Sequence, residues 1–258
     1  MSSKRVKEIH DKINAMPLFS QVADRALSAE RDRSLDGSLD ERGFHHPGLA
    51  RQILQMTNLT SYGFSGNRAG SFESDAIESG NVIRSMMLGF SLQDFIGKEL
   101  PAYGFAENEL WEHVMNCGIS TWMIASKVGY ADLETAFVAG MMHDIGKVIL
   151  NEFLAEESGN VVDTISQEDE TIVHAERKIL GIDHAEAGAL LAKHWAFDEK
   201  IIEAIRYHHQ PEKAEIDPDL TALVHLADCV SLSIRQAVSS NDLANLLMGD
   251  FSGLPQST

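Results

Sequence analysis

The chain has 258 residues, of which 44% are apolar, and this is enough for one large globular domain or two smaller lobes. Its 21 basic and 39 acidic residues give a formal net charge of −18, which argues against a surface that binds nucleic acid or an anionic membrane. No apolar run approaches the roughly 20 residues of a membrane span. The first residues carry no signal-peptide pattern.

Apolar residues recur at helical spacing along most of the chain, and alternating strand patterns are nearly absent, so we expect an all-α fold. The first helix is predicted over residues 4–16 and ends before Pro17. Another helix begins near Pro47, because proline favours the first turn of a helix. Residues 62–70 are rich in glycine without the spacing of a phosphate-binding loop, and one or two more helices follow over 72–98.

The helical pattern is interrupted from Pro101 to Gly104, and we place a boundary between two lobes there. The expected arrangement is an N-terminal helical lobe over residues 1–105 and a second lobe over residues 106–258.

The second lobe is predicted to begin with a helix over residues 109–128 that is apolar on most sides. A later helix over residues 170–180 is closed by Gly181, and the last helix starts at Asp217-Pro218. Three further helices start at capping aspartates, which are Asp132, Asp183 and Asp198.

The two cysteines, Cys117 and Cys229, lie far apart, each within an apolar segment. This usage indicates reduced, buried thiols and therefore a cytoplasmic protein. A disulfide between the two is the less favoured alternative.

Residues 136–150 form an apolar run that carries His143 beside Asp144, with Gly146 and Lys147 close behind. The run is typical of a buried helix. Burying a histidine or an aspartate costs free energy unless a partner or a metal compensates for the lost hydration. A core histidine paired with its neighbouring aspartate is the simple alternative to a functional site.

Seven residues of the second lobe lie on, or at the ends of, helices with apolar faces and are candidate metal ligands. They are His113, His143, Asp144, His184, His208, His209 and Asp228. Neutral imidazole and ionised carboxylate bind divalent first-row metals, and the lack of thiolates favours Fe, Mn, Ni or Zn over a structural cysteine-type zinc site, with Fe or Mn preferred to Zn. A bridging carboxylate such as Asp144 would hold two ions, so we expect about one or two.

Several segments of the chain carry motifs that are considered together. They are Pro47-Gly-Leu-Ala-Arg-Gln-Ile-Leu, Leu110-Trp-Glu-His113, Phe137-Val-Ala-Gly-Met-Met-His-Asp-Ile-Gly-Lys147, Gly181-Ile-Asp-His-Ala-Glu-Ala-Gly188, Leu191-Ala-Lys-His-Trp195, Ile205-Arg-Tyr-His-His209 and Leu226-Ala-Asp228. Together these segments resemble one family, the HDOD domain, which is the HD-related output domain of bacterial signalling proteins. The resemblance implies an all-helical bundle of the HD-domain type and a role in signal transduction.

The ligand series also resembles that of the HD-GYP phosphodiesterases, which belong to the wider HD superfamily of metal-dependent phosphohydrolases and cleave cyclic dinucleotides. In that family a Gly-Tyr-Pro motif follows the histidine pair, whereas here His209 is followed by Gln210-Pro-Glu-Lys-Ala-Glu. The departure counts against a cyclic-di-GMP substrate and leaves the metal site as an expectation. The resemblance also implies that Lys147, just after His-Asp, contacts a phosphate.

Two further residues are candidates for the surroundings of the metal site. Glu109 lies four residues before His113 on the same predicted helix face, and it is either an extra ligand or, preferably, a solvated carboxylate at the helix start. His225 is either a partner of a ligand or an ordinary core histidine.

Two functions follow from these expectations. In the first, the protein is a metal-dependent phosphohydrolase of a small phosphorylated ligand, with Asp144 and Lys147 as catalytic residues. In the second, it is a signalling module that binds a protein partner, and the metal is structural or absent.

Overall fold

The structure is a computed structural model, and it describes residues 2–19, 92–156 and 171–239. Across these ranges the chain is helical and forms no strand, apart from one isolated bridge between Leu100 and Phe105. The α-helices in the described ranges are α1 Ser2–Asn14, α2 Gln93–Ile96, α3 Glu109–Val128, α4 Leu133–Met142, α5 Gly146–Glu156, α6 Ile172–Leu180, α7 His184–His194, α8 Glu199–Tyr207 and α9 Pro218–Ser239, with 3₁₀ helices at Pro101–Tyr103 and Pro211–Lys213.

The expected all-α fold is confirmed for the described residues. The helix predicted near Pro47, the loop at 62–70 and most of the pattern at 72–98 lie outside the described ranges. The division into lobes over 1–105 and 106–258 stays a prediction for the same reason.

The helix starts predicted from capping residues are confirmed. Each capping aspartate accepts a hydrogen bond from a backbone N–H group two or three residues further along, and the pairs are Asp132 with Thr135, Asp183 with Glu186 and Asp198 with Lys200. These bonds satisfy N–H groups that the first turn of a helix leaves without partners. Gly181 ends α6 in the left-handed conformation, with a φ of 83°, as its position predicted.

Helix α4 lies at the centre of the bundle. Every residue from Ala136 to Met142 is buried, and α3, α8 and α9 pack against this helix. The sequence pattern predicted a helix that carries His143 and Asp144 near its end, whereas α4 stops at Met142 and residues 143–145 form a turn. This turn delivers both side chains into the interior.

The start of α5 approaches α7 so closely that only glycine fits at position 146. A Cβ atom on Gly146 would lie 1.9 Å from the backbone oxygen of His184 and 2.7 Å from the backbone nitrogen of Gly188. This contact between backbones holds the turn after α4 against the start of α7. It therefore fixes His143 and Asp144 beside His184.

Helix α1 packs on the outside of α5, α6 and α7 through buried side chains that include Ile9 and Ile13. The residues after α1 are held as well, because the Trp195 indole N–H donates to the backbone oxygen of Pro17 at 3.0 Å. The N-terminal helix thus closes over three helices that position the interior histidines and aspartates.

The two cysteines are not joined by a disulfide. Cys117 is buried on α3 as predicted, but the prediction of a buried thiol is wrong for Cys229, which is exposed on α9. The apolar run around Cys229 lies partly at the surface, where Leu226 and Val230 are also exposed. In the described part of the chain, no helix combines the length and the apolar character needed to cross a membrane.

A buried carboxylate on α8 anchors the start of α9. Glu203 is 7% exposed and accepts hydrogen bonds of 2.7–2.9 Å from the backbone N–H groups of Glu215, Ile216 and Asp217. Burial raises the pKa of this carboxyl, but the backbone hydrogen bonds outweigh burial, and the net pKa is lowered. Glu203 is therefore bound most tightly in its ionised form.

We expect Glu203→Gln to lower the free energy of unfolding by about 1–3 kcal/mol at neutral pH, because the bonds lose their charged acceptor. Since the folded pKa is lowered, this stabilisation is complete above the unfolded pKa of about 4.3 and is lost as pH falls through the folded pKa. Urea unfolding of wild type and variant between pH 3 and 7 measures the difference.

The exposed Glu212→Gln on the following 3₁₀ helix serves as the control, with an expected change within about 0.5 kcal/mol. A gap between wild type and Glu203→Gln that widens on acidification would contradict the assignment.

Candidate metal centre

The seven residues predicted as ligands converge in the interior from five parts of the chain. Helix α3 provides His113, the turn after α4 provides His143 and Asp144, the start of α7 provides His184, the turn after α8 provides His208 and His209, and α9 provides Asp228. They form three overlapping clusters, and within each cluster the candidate ligand atoms lie within 4.8 Å of one another. The clusters are His113–His143–Asp228, His143–Asp144–His208 and His184–His208–His209.

Asp144 occupies the middle of this arrangement. Its Oδ2 atom lies 3.4 Å from Nε2 of both His113 and His143. Its Oδ1 atom lies 3.3 Å from Nε2 of His184 and 3.9 Å from Nε2 of His208. The two oxygens of one carboxylate therefore face two different groups of histidines.

Asp228 completes the group on the Oδ2 side. Its Oδ1 atom is 3.3 Å from Nε2 of His113 and 3.5 Å from Nε2 of His143. On the other side, Nε2 of His184 and Nε2 of His209 are 2.9 Å apart. Each oxygen of Asp144 thus has a set of nitrogen neighbours.

The donor atoms are buried and incompletely satisfied. His143, Asp144 and His208 are at most 1% exposed. Within the described part of the chain, Nε2 of His143, Oδ1 of Asp144 and Nε2 of His208 have no hydrogen-bond partner. Orphaned buried polar atoms are costly and rare. These three belong to residues of one cluster, which is the arrangement expected where a ligand binds.

The separations fit a shared cation better than hydrogen bonds. Nitrogen–oxygen distances of 3.3–3.5 Å exceed those of good hydrogen bonds. Two ligand atoms that are each about 2.1 Å from one ion lie about 3.0–3.4 Å apart at octahedral or tetrahedral angles. The residues present therefore fit a divalent metal.

Backbone carbonyls fix which nitrogen of two histidines faces the centre. Nδ1 of His143 lies 2.7 Å from the oxygen of Gly140, and Nδ1 of His208 lies 2.7 Å from the oxygen of Ile205. Because a carbonyl oxygen only accepts, each Nδ1 carries the proton and donates it. Each Nε2 is then left with a lone pair toward the centre, which is the form that binds a metal.

The carboxylates are held ionised. Burial raises the pKa of Asp144, but Lys147 and the nearby histidines outweigh it and bring the pKa well below its usual range. Burial also raises the pKa of Asp228, but the nearby imidazoles of His113 and His143 lower it further, and the net direction is down. Two buried negative charges therefore require compensation by cations.

The pKa values of the histidines are shifted in different directions by their surroundings. Burial lowers the pKa of His208 well below its usual value and that of His209 to about 4, so both rings are neutral near pH 7. Burial lowers the pKa of His143 as well, but Cys117 and Asp144 raise it further, and the net direction is upward. The centre thus attracts positive charge, which a proton or a metal ion can supply.

Lys147 supplies one positive charge directly. Its side chain is 10% exposed, and its ammonium donates to Oδ2 of Asp144 at 2.5 Å. The sequence predicted that this lysine contacts a phosphate, and the structure places its ammonium on the carboxylate at the centre.

Glu176 is a member of the site that the sequence analysis missed. It is fully buried on α6, and its Oε2 accepts from the backbone N–H and from Nδ1 of His184, at 2.8 and 2.7 Å. The sequence does contain a sign of its role, because this charged residue lies among apolar residues at helical spacing, on the face of α6 that is expected to be buried. These apolar residues are Ile172, Ala175, Ile179 and Leu180.

The two secondary candidates lie at the edge of the site. Glu109 is the first residue of α3, and its Oε2 accepts from the backbone N–H of Ala106 at 2.7 Å. The clusters found in the described residues do not include it. Nδ1 of His225 donates to the backbone oxygen of His208 at 2.7 Å. His225 therefore supports the turn that carries two of the histidines.

Residues 44–211 match the HDOD domain. The chain belongs to the HDOD family. This HDOD match includes six of the seven converging residues, and only Asp228 lies beyond it.

Three solved structures share the fold of this HDOD protein. A putative phosphohydrolase from Shewanella amazonensis has a TM-score of 0.62 at 20% identity, with 96% of this chain and 89% of the other covered. An HDOD domain protein from Geobacter sulfurreducens has a TM-score of 0.57 at 23% identity, with coverage of 98% and 83%. A putative signal transduction protein from Marinobacter aquaeolei has a TM-score of 0.58 at 15% identity, with coverage of 97% and 60%.

Curated relatives match over shorter regions. An uncharacterized protein of Treponema pallidum is 25% identical over 175 residues, which are 62% of this chain and 31% of that protein. Ribonuclease Y of Mycoplasma mycoides is 30% identical over 146 residues, which are 57% of this chain and 23% of the enzyme. The HDOD chain thus spans about a third or less of these relatives.

We expect Asp144→Ala to destabilise the metal-free protein by about 3–5 kcal/mol, because it leaves the Lys147 ammonium buried without its carboxylate. Adding Lys147→Met should recover part of this loss, since the unpaired charge is removed. Urea unfolding in the presence of a chelator measures both variants.

Lys200→Met, which breaks the more exposed pair with Asp132, is the control and should change stability by no more than about 1 kcal/mol. If Lys147→Met adds its own loss to that of Asp144→Ala, the buried pair does not account for the effect.

Proposed function

We propose that this HDOD protein binds a divalent metal at the interior centre and hydrolyses a phosphoester of a small phosphorylated ligand. The observation that carries the proposal is the convergence of four imidazole Nε2 atoms on the two oxygens of Asp144, some of them without hydrogen-bond partners. The simple alternative, in which one core histidine pairs with its neighbouring aspartate, does not explain why the other histidines also approach that aspartate.

The residues divide into two ligand groups that share Asp144. One group combines Oδ2 of Asp144 with His113, His143 and Asp228. The other combines Oδ1 with His184, His208 and His209. Because one carboxylate faces both groups, the centre suits about one or two ions, and the all-nitrogen-and-oxygen donor set favours Fe or Mn over Zn.

A bound divalent ion would polarise a phosphoryl oxygen and bring the pKa of its water toward about 7. The chain itself orients the ligand nitrogens through the carbonyls of Gly140 and Ile205. Lys147 contributes a fixed positive charge next to Asp144, where it would attract a phosphate. The clusters found in the described residues contain no cysteine, which fits hydrolysis rather than covalent transfer through a thiol.

The comparisons support the reaction class. The Shewanella amazonensis protein is described as a putative phosphohydrolase, and ribonuclease Y of Lawsonia intracellularis is 33% identical over 109 residues, or 15% of that enzyme. The net charge of −18 argues against RNA as the substrate of this chain and for a small nucleotide or phosphodiester. The sequence after His209 lacks the Gly-Tyr-Pro motif, which counts against cyclic-di-GMP.

A second candidate is a signalling module in which the metal is structural and a protein partner reads the surface. The burial of the centre favours it, because six of the seven candidate ligands are buried, and the most exposed of these six, His113 and Asp228, are each only 6% exposed. The Marinobacter aquaeolei structure, described as a putative signal transduction protein, is in keeping with this role.

Metal content tests the first part of the proposal. Protein purified without chelator should contain about one or two ions per chain, and His143→Ala and Asp228→Asn should each lose metal, because each removes a ligand. Elemental analysis measures the content. His174→Ala, at an exposed histidine outside the clusters, should leave it unchanged, and equal loss in all three variants would contradict the assigned ligands.

Activity tests the second part. The Mn²⁺- or Fe²⁺-loaded protein should hydrolyse at least one member of a panel of cyclic dinucleotides, cyclic mononucleotides, nucleoside phosphates and a chromogenic phosphodiester. His143→Ala and Asp144→Ala should lower the rate by at least about 100-fold, since metal-assisted attack is lost. A metal-loaded protein that is inert on the whole panel would leave the signalling module as the function.

A further inference from the structure

A buried hydrogen-bond chain reaches the centre from outside the ligand set. The hydroxyl of Tyr103 donates to Oε1 of Glu176 at 2.7 Å, and Oε2 of the same carboxylate faces Nδ1 of His184 at 2.7 Å. All three side chains are buried, with Tyr103 the most exposed at 7%. The chain joins the 3₁₀ helix at Pro101–Tyr103, α6 and α7.

Packing alone does not explain why a carboxylate stands at position 176. An apolar side chain would suit the stripe of α6 that faces the core, and burying a carboxylate is unfavourable unless it is fully bonded. The hydrogen bonds of Glu176 to His184 and Tyr103 compensate for the cost.

The geometry determines the state of the His184 ring. The backbone N–H of His184 donates to Oε2 of Glu176 at 2.8 Å, so this oxygen is an acceptor. In its 2.7 Å contact with the same oxygen, Nδ1 of the ring is therefore the donor and carries a proton. One oxygen thus holds both the backbone and the ring of His184. Nε2 then faces Oδ1 of Asp144 at 3.3 Å and Nε2 of His209 at 2.9 Å.

We infer that Glu176 is a positioning residue of the metal centre, which holds His184 with Nδ1 protonated and Nε2 directed at the group formed with Asp144, His208 and His209. Tyr103 fixes the carboxylate in this orientation. The expected effect of Glu176 on metal affinity rests on the proposed metal site. The protonated Nδ1 of His184 is expected in the metal-free protein as well.

Two substitutions at Glu176 separate positioning from a merely structural role. Glu176→Gln keeps an oxygen that can accept from both N–H groups of His184, whereas Glu176→Leu removes every acceptor. In long-range ¹H–¹⁵N spectra of metal-free protein near pH 7.5, wild type and Glu176→Gln should show His184 protonated at Nδ1. Glu176→Leu should show loss of that state, because nothing holds the ring.

Titration with Mn²⁺ alone measures the consequence. Glu176→Leu should weaken binding by about 10- to 100-fold, the usual cost of losing a partner of a metal-bound histidine, and Glu176→Gln by less than about tenfold. Tyr103→Phe should weaken binding in the same direction and less than Glu176→Leu, and it serves in place of Glu176→Leu if that variant does not fold.

Glu203→Gln is the matched control, because it alters another buried carboxylate that binds backbone N–H groups away from the centre. It should lower stability without changing the His184 spectrum or Mn²⁺ affinity. Retention of protonated Nδ1 and full Mn²⁺ affinity in Glu176→Leu would overturn the inference. Failure of the wild type to bind Mn²⁺ would count against the proposed function, and the nitrogen spectra would still decide the role of Glu176.

Discussion

The structure depends on the burial of Asp144 at the end of the central helix α4. A carboxylate in the interior must be surrounded by donors and positive charge, since its hydration is lost. Lys147 donates to Oδ2, and imidazoles from four helices or turns approach both oxygens. Asp228 then adds a second negative charge beside His113. This excess of acceptors over donors separates the centre from an ordinary buried ion pair.

Much of this arrangement follows from residues visible in the sequence. Capping aspartates at 132, 183 and 198 mark helix starts through local bonding, so the starts of the helices that precede His143, carry His184 and precede His208 could be predicted. The local sequence pattern does not show that these side chains meet in space. The family resemblance led us to expect it, and the structure brings them together. The role of Glu176 could not be predicted in the same way, because its bond to His184 depends on how α6 meets α7.

One other difference has the same physical origin. An apolar segment predicted a buried thiol at Cys229, but periodicity does not reveal which face of α9 lacks a neighbour. The phosphate contact of Lys147 stays a prediction, and the structure shows its ammonium on Asp144, three residues before it in the chain. Likeness to solved structures at 15–23% identity establishes the HDOD fold. Function depends on the side chains placed upon that fold.

The close approach of Gly146 to the backbones of His184 and Gly188 has a mechanical consequence. No side chain separates the two backbones at this point. Sliding α5 along α7 would therefore disrupt the close van der Waals contacts between them. We therefore expect Asp144 and Lys147 on one side and His184 on the other to move together, as one block. A displacement of α1, which packs on both helices, would reach the centre as a motion of that block rather than as a local distortion of a single ligand.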